Sequence, residues 1–208
     1  MDRVIGVDFD NTLVSYDEVM RRAALEKGLI PAGGGAGKRE IRDRVRRLAD
    51  GEQAWQQLQS LVYGLRMEEA RLIDGVPEFF ARCRQARIPV YIISHKTELA
   101  AWNATGVNLR HAALEWMERR RFFEPAGLGL AREHVCFEST RGEKIARIRA
   151  LRCTHFIDDL EETFLEPSFP RDVAKILYAP SGHGTAIPGV TCVRSWQELD
   201  GHFFDDAP

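Results

Sequence analysis

Short apolar runs rich in β-branched residues recur along this chain, spaced so that about one helix fits between neighbours. No other feature restricts the fold as strongly. The runs are Val4-Ile5-Gly6-Val7, Pro89-Val90-Tyr91-Ile92-Ile93, His134-Val135-Cys136-Phe137, Thr154-His155-Phe156-Ile157 and Lys175-Ile176-Leu177-Tyr178. Each reads as a buried strand. Between most of them, from Val76 to Ala86, Leu109 to Phe122 and Glu143 to Leu151, apolar residues return every three or four positions, as on one face of a helix. Strand and helix in alternation predict an α/β fold with a Rossmann-like, doubly wound parallel sheet.

The first interval breaks the rhythm. Roughly sixty residues separate the strand ending at Asp8 from the helix beginning near Val76, against about 30 for an ordinary βα unit. The intervening sequence reads as helices from Asp17 to Lys27, Lys38 to Ala49 and Gln53 to Leu72, with the glycine-rich turn Pro31 to Gly37 between the first two. The expected organisation is therefore a core made of residues 1–14 and 75–208, with a small all-helical cap at 15–74. A chain of 208 residues suits one such domain with one insertion.

A formal charge of −2 gives no global reason to bind nucleic acid or an anionic membrane surface. The basic run Lys38, Arg39, Arg42, Arg44, Arg46 and Arg47 is local and reads first as a solvated helix face. Its sharper reading is that Lys38 or Arg39 meets a second acidic group on a substrate. Gly37-Lys38-Arg39 is not a nucleotide-binding loop, since no strand precedes it and Arg39 stands where Ser or Thr would be needed. Trp55, Trp102, Trp116 and Trp196 read as packing residues, and His183 as part of a surface loop. The four cysteines form no C-x-x-C pair and read as reduced, mostly buried thiols. With no signal-peptide pattern and no apolar stretch long enough to span a bilayer, the expected compartment is the cytoplasm, without membrane partners.

Four groups of polar residues stand where the expected strands end, and in open α/β sheets the ligand crevice lies outside those carboxyl ends. In Asp8-Phe9-Asp10-Asn11-Thr12, an i, i+2 spacing on extended chain brings two carboxylates to one side, and their repulsion is relieved by a proton or a hard cation such as Mg²⁺. The plainer reading is a turn after a strand. Ser94, followed by His95, Lys96 and Thr97, offers a hydroxyl and backbone amides to a phosphate, or is simply the N-cap of a following helix. Thr140 and Glu143 have the spacing of a capping box, which puts Lys144 in a helix's first turn, where a cation opposes the helix dipole. Asp158 and Asp159 end an apolar strand; Asp159 with Glu162 could cap the next helix, which would leave Asp158 unexplained.

In order, Asp8-x-Asp10-x-Thr12, Ser94, Lys144 and Asp158-Asp159 resemble the four motifs of the haloacid dehalogenase superfamily of phosphohydrolases. The resemblance spans Val4 to Glu162, and the insertion is similar to that superfamily's helical cap. It implies a Mg²⁺-dependent phosphatase acting on a small phosphorylated metabolite, with Asp8 as nucleophile forming an aspartyl-phosphate and Asp10 as acid and then base. It also implies that Ser94, Lys144 and the amides of Phe9, Asp10 and His95 hold the phosphoryl oxygens. The metal would be held by Asp8, the Asp10 carbonyl, Asp158 and Asp159. Asp159 is favoured as direct ligand, while a further acid falls on Glu162 or Thr163. Lys96 is given no role. The alternatives are a phosphomutase or phosphotransferase of the same superfamily, decided by cap closure, and a non-catalytic binding module, which would be marked by loss of Asp8, Asp10 or Lys144.

Overall fold

Six parallel strands form one sheet in the computed structural model, which describes residues 3–33, 37–100, 106–182 and 187–205. The chain begins with β1 (Ile5–Val7), β2 (Val14–Ser15), α1 (Asp17–Glu26), α2 (Lys38–Val45), α3 (Gly51–Ser60), β3 (Arg71–Leu72), α4 (Val76–Gln85), β4 (Val90–His95) and α5 (Leu109–Arg119). It continues through β5 (Val135–Glu138), α6 (Arg141–Ala150), β6 (His155–Asp158), α7 (Glu161–Leu165), β7 (Ala174–Tyr178), β8 (Val190–Val193) and α8 (Trp196–Phe204). The strand order is β5-β4-β1-β6-β7-β8, the doubly wound α/β arrangement that the alternation predicts. All five expected strands are present. The sixth, β8, was not anticipated: two of its four residues are exposed, so it lacks the continuous apolar signature of a central strand.

The chain packs as two units. One comprises Met1–Leu13, Leu72–Lys96 and Arg120–Pro208 and contains the six-stranded sheet; the other comprises Val14–Arg71 and Thr97–Arg119. The sequence reading ended its helical insertion at residue 74 and left Leu109 to Phe122 among the core helices. Helix α5 belongs instead to the second unit, where its buried Trp116 donates an indole N–H to the Ala70 carbonyl at 3.2 Å. Periodicity shows that α5 has an apolar face, but not which layer that face meets. The expected helix Gln53 to Leu72 also differs. Helix α3 ends at Ser60, a π-helical turn covers Leu61–Leu65, a 3₁₀ turn covers Met67–Glu69, and β3 pairs with β2.

One glycine allows a close approach between β1 and β6. A Cβ at Gly6, in the middle of β1, would lie 2.6 Å from the Phe156 ring, which is itself fully buried. Phe156 sits beside Gly6 in the pairing of β1 with β6 and joins Ile93, Ile145, Ile148, Phe164 and Leu177 in one apolar cluster. A second cluster gathers Phe79 of α4 against Trp196 and Phe203 of α8, with ring centroids 5.1 Å and 5.5 Å apart. The Trp196 indole also donates to the Thr12 carbonyl at 3.0 Å, which ties α8 to the loop after β1. Trp55, Trp116 and Trp196 are all buried packing residues. Gly34 to Ala36 of the glycine-rich turn, Trp102 and His183 lie outside the described residues. Of the cysteines, Cys83 and Cys153 are buried, Cys136 is half-buried and Cys192 is exposed; burial pushes the first two thiols up to about 12. No helix among the described residues is long and apolar enough to cross a membrane.

Two outcomes follow from this packing. Gly6→Ala is expected to destabilise the protein by about 1–3 kcal/mol through overpacking against Phe156, read as a lower urea midpoint with an unchanged slope. His155 lies beside Phe203 and Arg3, and burial, then Arg3 and His202, lower its imidazole below the ordinary range. A depressed folded-state pKa contributes stability that is present above the unfolded value of about 6.5 and is lost as pH falls through the folded value. Between pH 7.5 and 5.5 the wild type should therefore lose more stability than His155→Gln, and parallel losses in the two proteins would show that His155 does not carry the effect.

Candidate active site

The site lies at the carboxyl ends of β1 and β6, adjacent strands from which the chain departs in opposite directions, to β4 and to β7. That is the switch point at which open α/β sheets leave a crevice. Val7 pairs with Ile157, and the Asp8 amide donates to the Ile157 carbonyl at 2.9 Å, so Asp8 and Asp158 emerge side by side. Beyond Asp8 the chain turns at once. Asn11 adopts a left-handed φ of 63°, which Asn tolerates better than most residues, and the Leu13 amide closes the turn on the Phe9 carbonyl at 3.0 Å. The turn reading of this segment is thus correct as local structure, but it leaves Asp8 95% buried at a strand end rather than solvated.

Lys144 arrives from the other side. The capping box that the sequence predicts is formed: Glu143 donates its amide to the Thr140 hydroxyl at 3.1 Å and accepts the Thr140 amide at 2.9 Å. This fixes the first turn of α6. The buried Lys144 ammonium then donates to Asp8 Oδ1 at 2.6 Å and to Asp158 Oδ2 at 2.7 Å. Its conflict with the helix dipole, worth several tenths of a kcal/mol, is outweighed by two carboxylates. Burial disfavours the ammonium, yet Asp158 and Asp8 together hold the Lys144 pKa well above the ordinary lysine range. The Asp8 carboxyl is raised as well, which for an acid disfavours the charged form. Burial pushes its carboxyl up to about 6, with Lys144 pulling it down and Asp158 and Asp10 pushing it further up.

Asp158 is fully buried, and its other oxygen accepts the Leu160 amide at 3.0 Å. Helix α7 starts after Leu160 with no side-chain cap, so the alternative of Asp159 capping with Glu162 is not formed. Asp8, Asp158 and Asp159 each bring one carboxylate oxygen to within 4.8 Å of the others, a donor set of hard oxygens suited to a divalent cation. Glu162 is exposed and Thr163 is buried; neither joins this set.

Ser94 is buried within β4, which runs on through His95, and no helix starts there; the N-cap reading of Ser94 is therefore wrong. Sheet register puts Ser94 on the strand beside β1, two residues beyond Ile92, the partner of Val7. His95 is exposed, with Nε2 3.0 Å from the Ser139 carbonyl oxygen, just ahead of the Thr140 cap. Phe9 buries its ring edge-on to Phe137 at 6.1 Å. The residue that sequence reading passes over is Lys96. It is 96% buried, and its ammonium lies 3.1 Å from Asp10 Oδ1 and 2.9 Å from Oδ2. The signal was available: if β4 extends through His95, parity carries Lys96 to the same side as Ser94.

At least three of the six cations in the basic run around α2 are ion-paired. Arg42 meets Asp43, Arg44 meets Glu40, and Arg46 meets Glu52 at 2.8 Å, which favours the solvated-face reading for those three.

The fold is similar to that of solved haloacid dehalogenase-like hydrolases. The chain superposes on a haloacid dehalogenase-like hydrolase from Streptococcus pneumoniae with a TM-score of 0.61 and 15% identity, covering 97% of this chain and 98% of that one. A phosphoserine phosphohydrolase-like protein from Francisella tularensis gives 0.57 and 12%, over 97% and 100%. A HAD family hydrolase from Deinococcus radiodurans, with bound phosphate and sodium, gives 0.56 and 15%, over 98% and 96%. No known family model and no curated protein sequence matches the chain.

Removing the cation between the two buried carboxylates has a defined consequence. In metal-free buffer, Lys144→Met should cost about 3–5 kcal/mol, because it leaves Asp8 and Asp158 buried and unpaired. Urea unfolding reads this directly, and a loss within experimental error would mean that the triad does not form in solution.

Proposed function

We propose that the protein is a Mg²⁺-dependent phosphatase acting on a small phosphorylated metabolite, with Asp8 as the nucleophile. One observation carries the reading: Lys144 joins Asp8 to Asp158 at the switch point, beside Asp159. Such a cluster has a nucleophilic carboxylate, a fixed cation and a hard-oxygen donor set within one crevice. The fold shared with solved hydrolases supports it, including one described with phosphate bound.

In this reading Asp8 attacks phosphorus while Asp10 gives a proton to the leaving oxygen, and Asp10 then takes a proton from the water that opens the aspartyl-phosphate. Lys144, Ser94 and the amides of Phe9, Asp10 and His95 hold the phosphoryl oxygens, and burial strengthens each such contact. Asp8, the Asp10 carbonyl and Asp159 would hold Mg²⁺. Both Asp158 oxygens already accept hydrogen bonds, from Lys144 and from the Leu160 amide, which favours a supporting role for Asp158. When bound, the ion supplies positive charge to the phosphoryl oxygens and lets the clustered carboxylates coexist.

Phosphate release from p-nitrophenyl phosphate and from a panel of phosphometabolites tests this. Release should require Mg²⁺, stop with chelator and fall by at least about a thousandfold in Asp8→Asn, as expected when a covalent nucleophile is removed. Folded protein that binds Mg²⁺ yet releases nothing would refute simple hydrolysis, as would an Asp8→Asn variant with undiminished turnover.

A further inference from the structure

Lysine is almost never fully buried unless it is paired. The first unit buries two, Lys96 and Lys144, and the reading above uses only Lys144. The side chain of Lys96 is 2% exposed, and its ammonium reaches both Asp10 carboxylate oxygens, at 3.1 Å and 2.9 Å. It also lies 5.7 Å from the centre of the Phe9 ring, the residue between the two aspartates. The backbone is fixed as well, since the Lys96 amide donates to the Glu138 carbonyl at 2.9 Å and so ties the residue to the end of β5. A cation that contacts both oxygens of a carboxylate limits rotation of that carboxylate about its own axis.

We propose that Lys96 is a positioning residue for Asp10: it fixes the rotation and reach of the carboxyl group that serves the leaving oxygen. The inference rests on the assignment of Asp8 and Asp10 above. In the first step an Asp8 oxygen bonds to phosphorus, the ester P–O bond breaks, and the Asp10 proton passes to the departing oxygen. Proton transfer in such a step contributes about 10²–10⁴-fold and depends on placement within hydrogen-bond reach, so a carboxyl that swings freely forfeits part of that factor. The loss should grow with the need for a proton. Phenyl phosphate and p-nitrophenyl phosphate have nearly the same shape, but phenolate is much the poorer leaving group.

The experiment compares kcat/KM on these two esters, with Mg²⁺, for wild type, Lys96→Met, Asp10→Asn and the double variant. Lys96→Met should lose about tenfold more on phenyl phosphate than on p-nitrophenyl phosphate, and should have little further effect once Asp10 is Asn. Equal losses on both esters, or full additivity with Asp10→Asn, would overturn the inference, because a merely structural lysine does not distinguish leaving groups. If Lys96→Met fails to fold, Lys96→Gln takes its place with the same two outcomes. Wild-type protein that hydrolyses neither ester removes the phosphatase reading and this inference with it, whereas an active wild type and an ester-independent Lys96 variant remove this inference alone.

Discussion

The contact on which the site depends is the buried ammonium of Lys144 between Asp8 and Asp158. Two carboxylates delivered side by side by adjacent strands would repel at close range with almost no water to screen them. The lysine makes that arrangement tolerable, and it comes from a helix whose first turn is locked by Thr140 and Glu143. Sheet register, capping box and ion triad are therefore links of one chain. Register places the acids, the cap aims the cation, and the cation permits the burial that raises the Asp8 carboxyl to about 6.

Such a cluster is weak evidence of stability in itself, because desolvating three charged groups costs several kcal/mol per ion before any attraction is counted. Stability has a better source in the apolar packing beneath. Phe156 against Gly6 and the Phe79, Trp196 and Phe203 cluster bury large rings without charge. The division has a functional sense. Apolar packing holds the strands, and the strand ends hold charges that a self-contained fold would avoid.

Much of this is legible in the sequence because two periodicities of different length alternate there. The strand from Ile5 to Val7 and the Phe156-Ile157 pair of β6 announce themselves by apolar character, and the acids that follow stand out against it. β8 escapes because Thr191 and Cys192 are exposed, so half of its residues carry no burial signal. The layer to which α5 belongs escapes for a different reason: an amphipathic face states that something covers it, while the identity of the cover depends on contacts with residues some fifty positions earlier, such as Trp116 with Ala70. The long helix expected up to Leu72 is interrupted after Ser60. A Cβ at Gly64 would meet the Val107 side chain at 3.1 Å, and the chain passes there through a π-helical turn.

Lys96 shows how one local assumption propagates. Treating Ser94 as a helix N-cap places the next residues on a solvated first turn, where a lysine needs no explanation. Letting β4 run through His95 reverses the conclusion, since extended chain sends alternate residues to alternate sides and Lys96 follows Ser94 inward. The i, i+2 spacing of Asp8 and Asp10 recurs in Ser94 and Lys96 at the neighbouring strand end. Two adjacent strand ends each deliver polar residues at i and i+2, one pair acidic, the other a hydroxyl and an ammonium. The charges meet where Lys96 reaches Asp10. What decides the chemistry of this crevice is thus less the identity of any single motif than how far each strand stays extended before it turns.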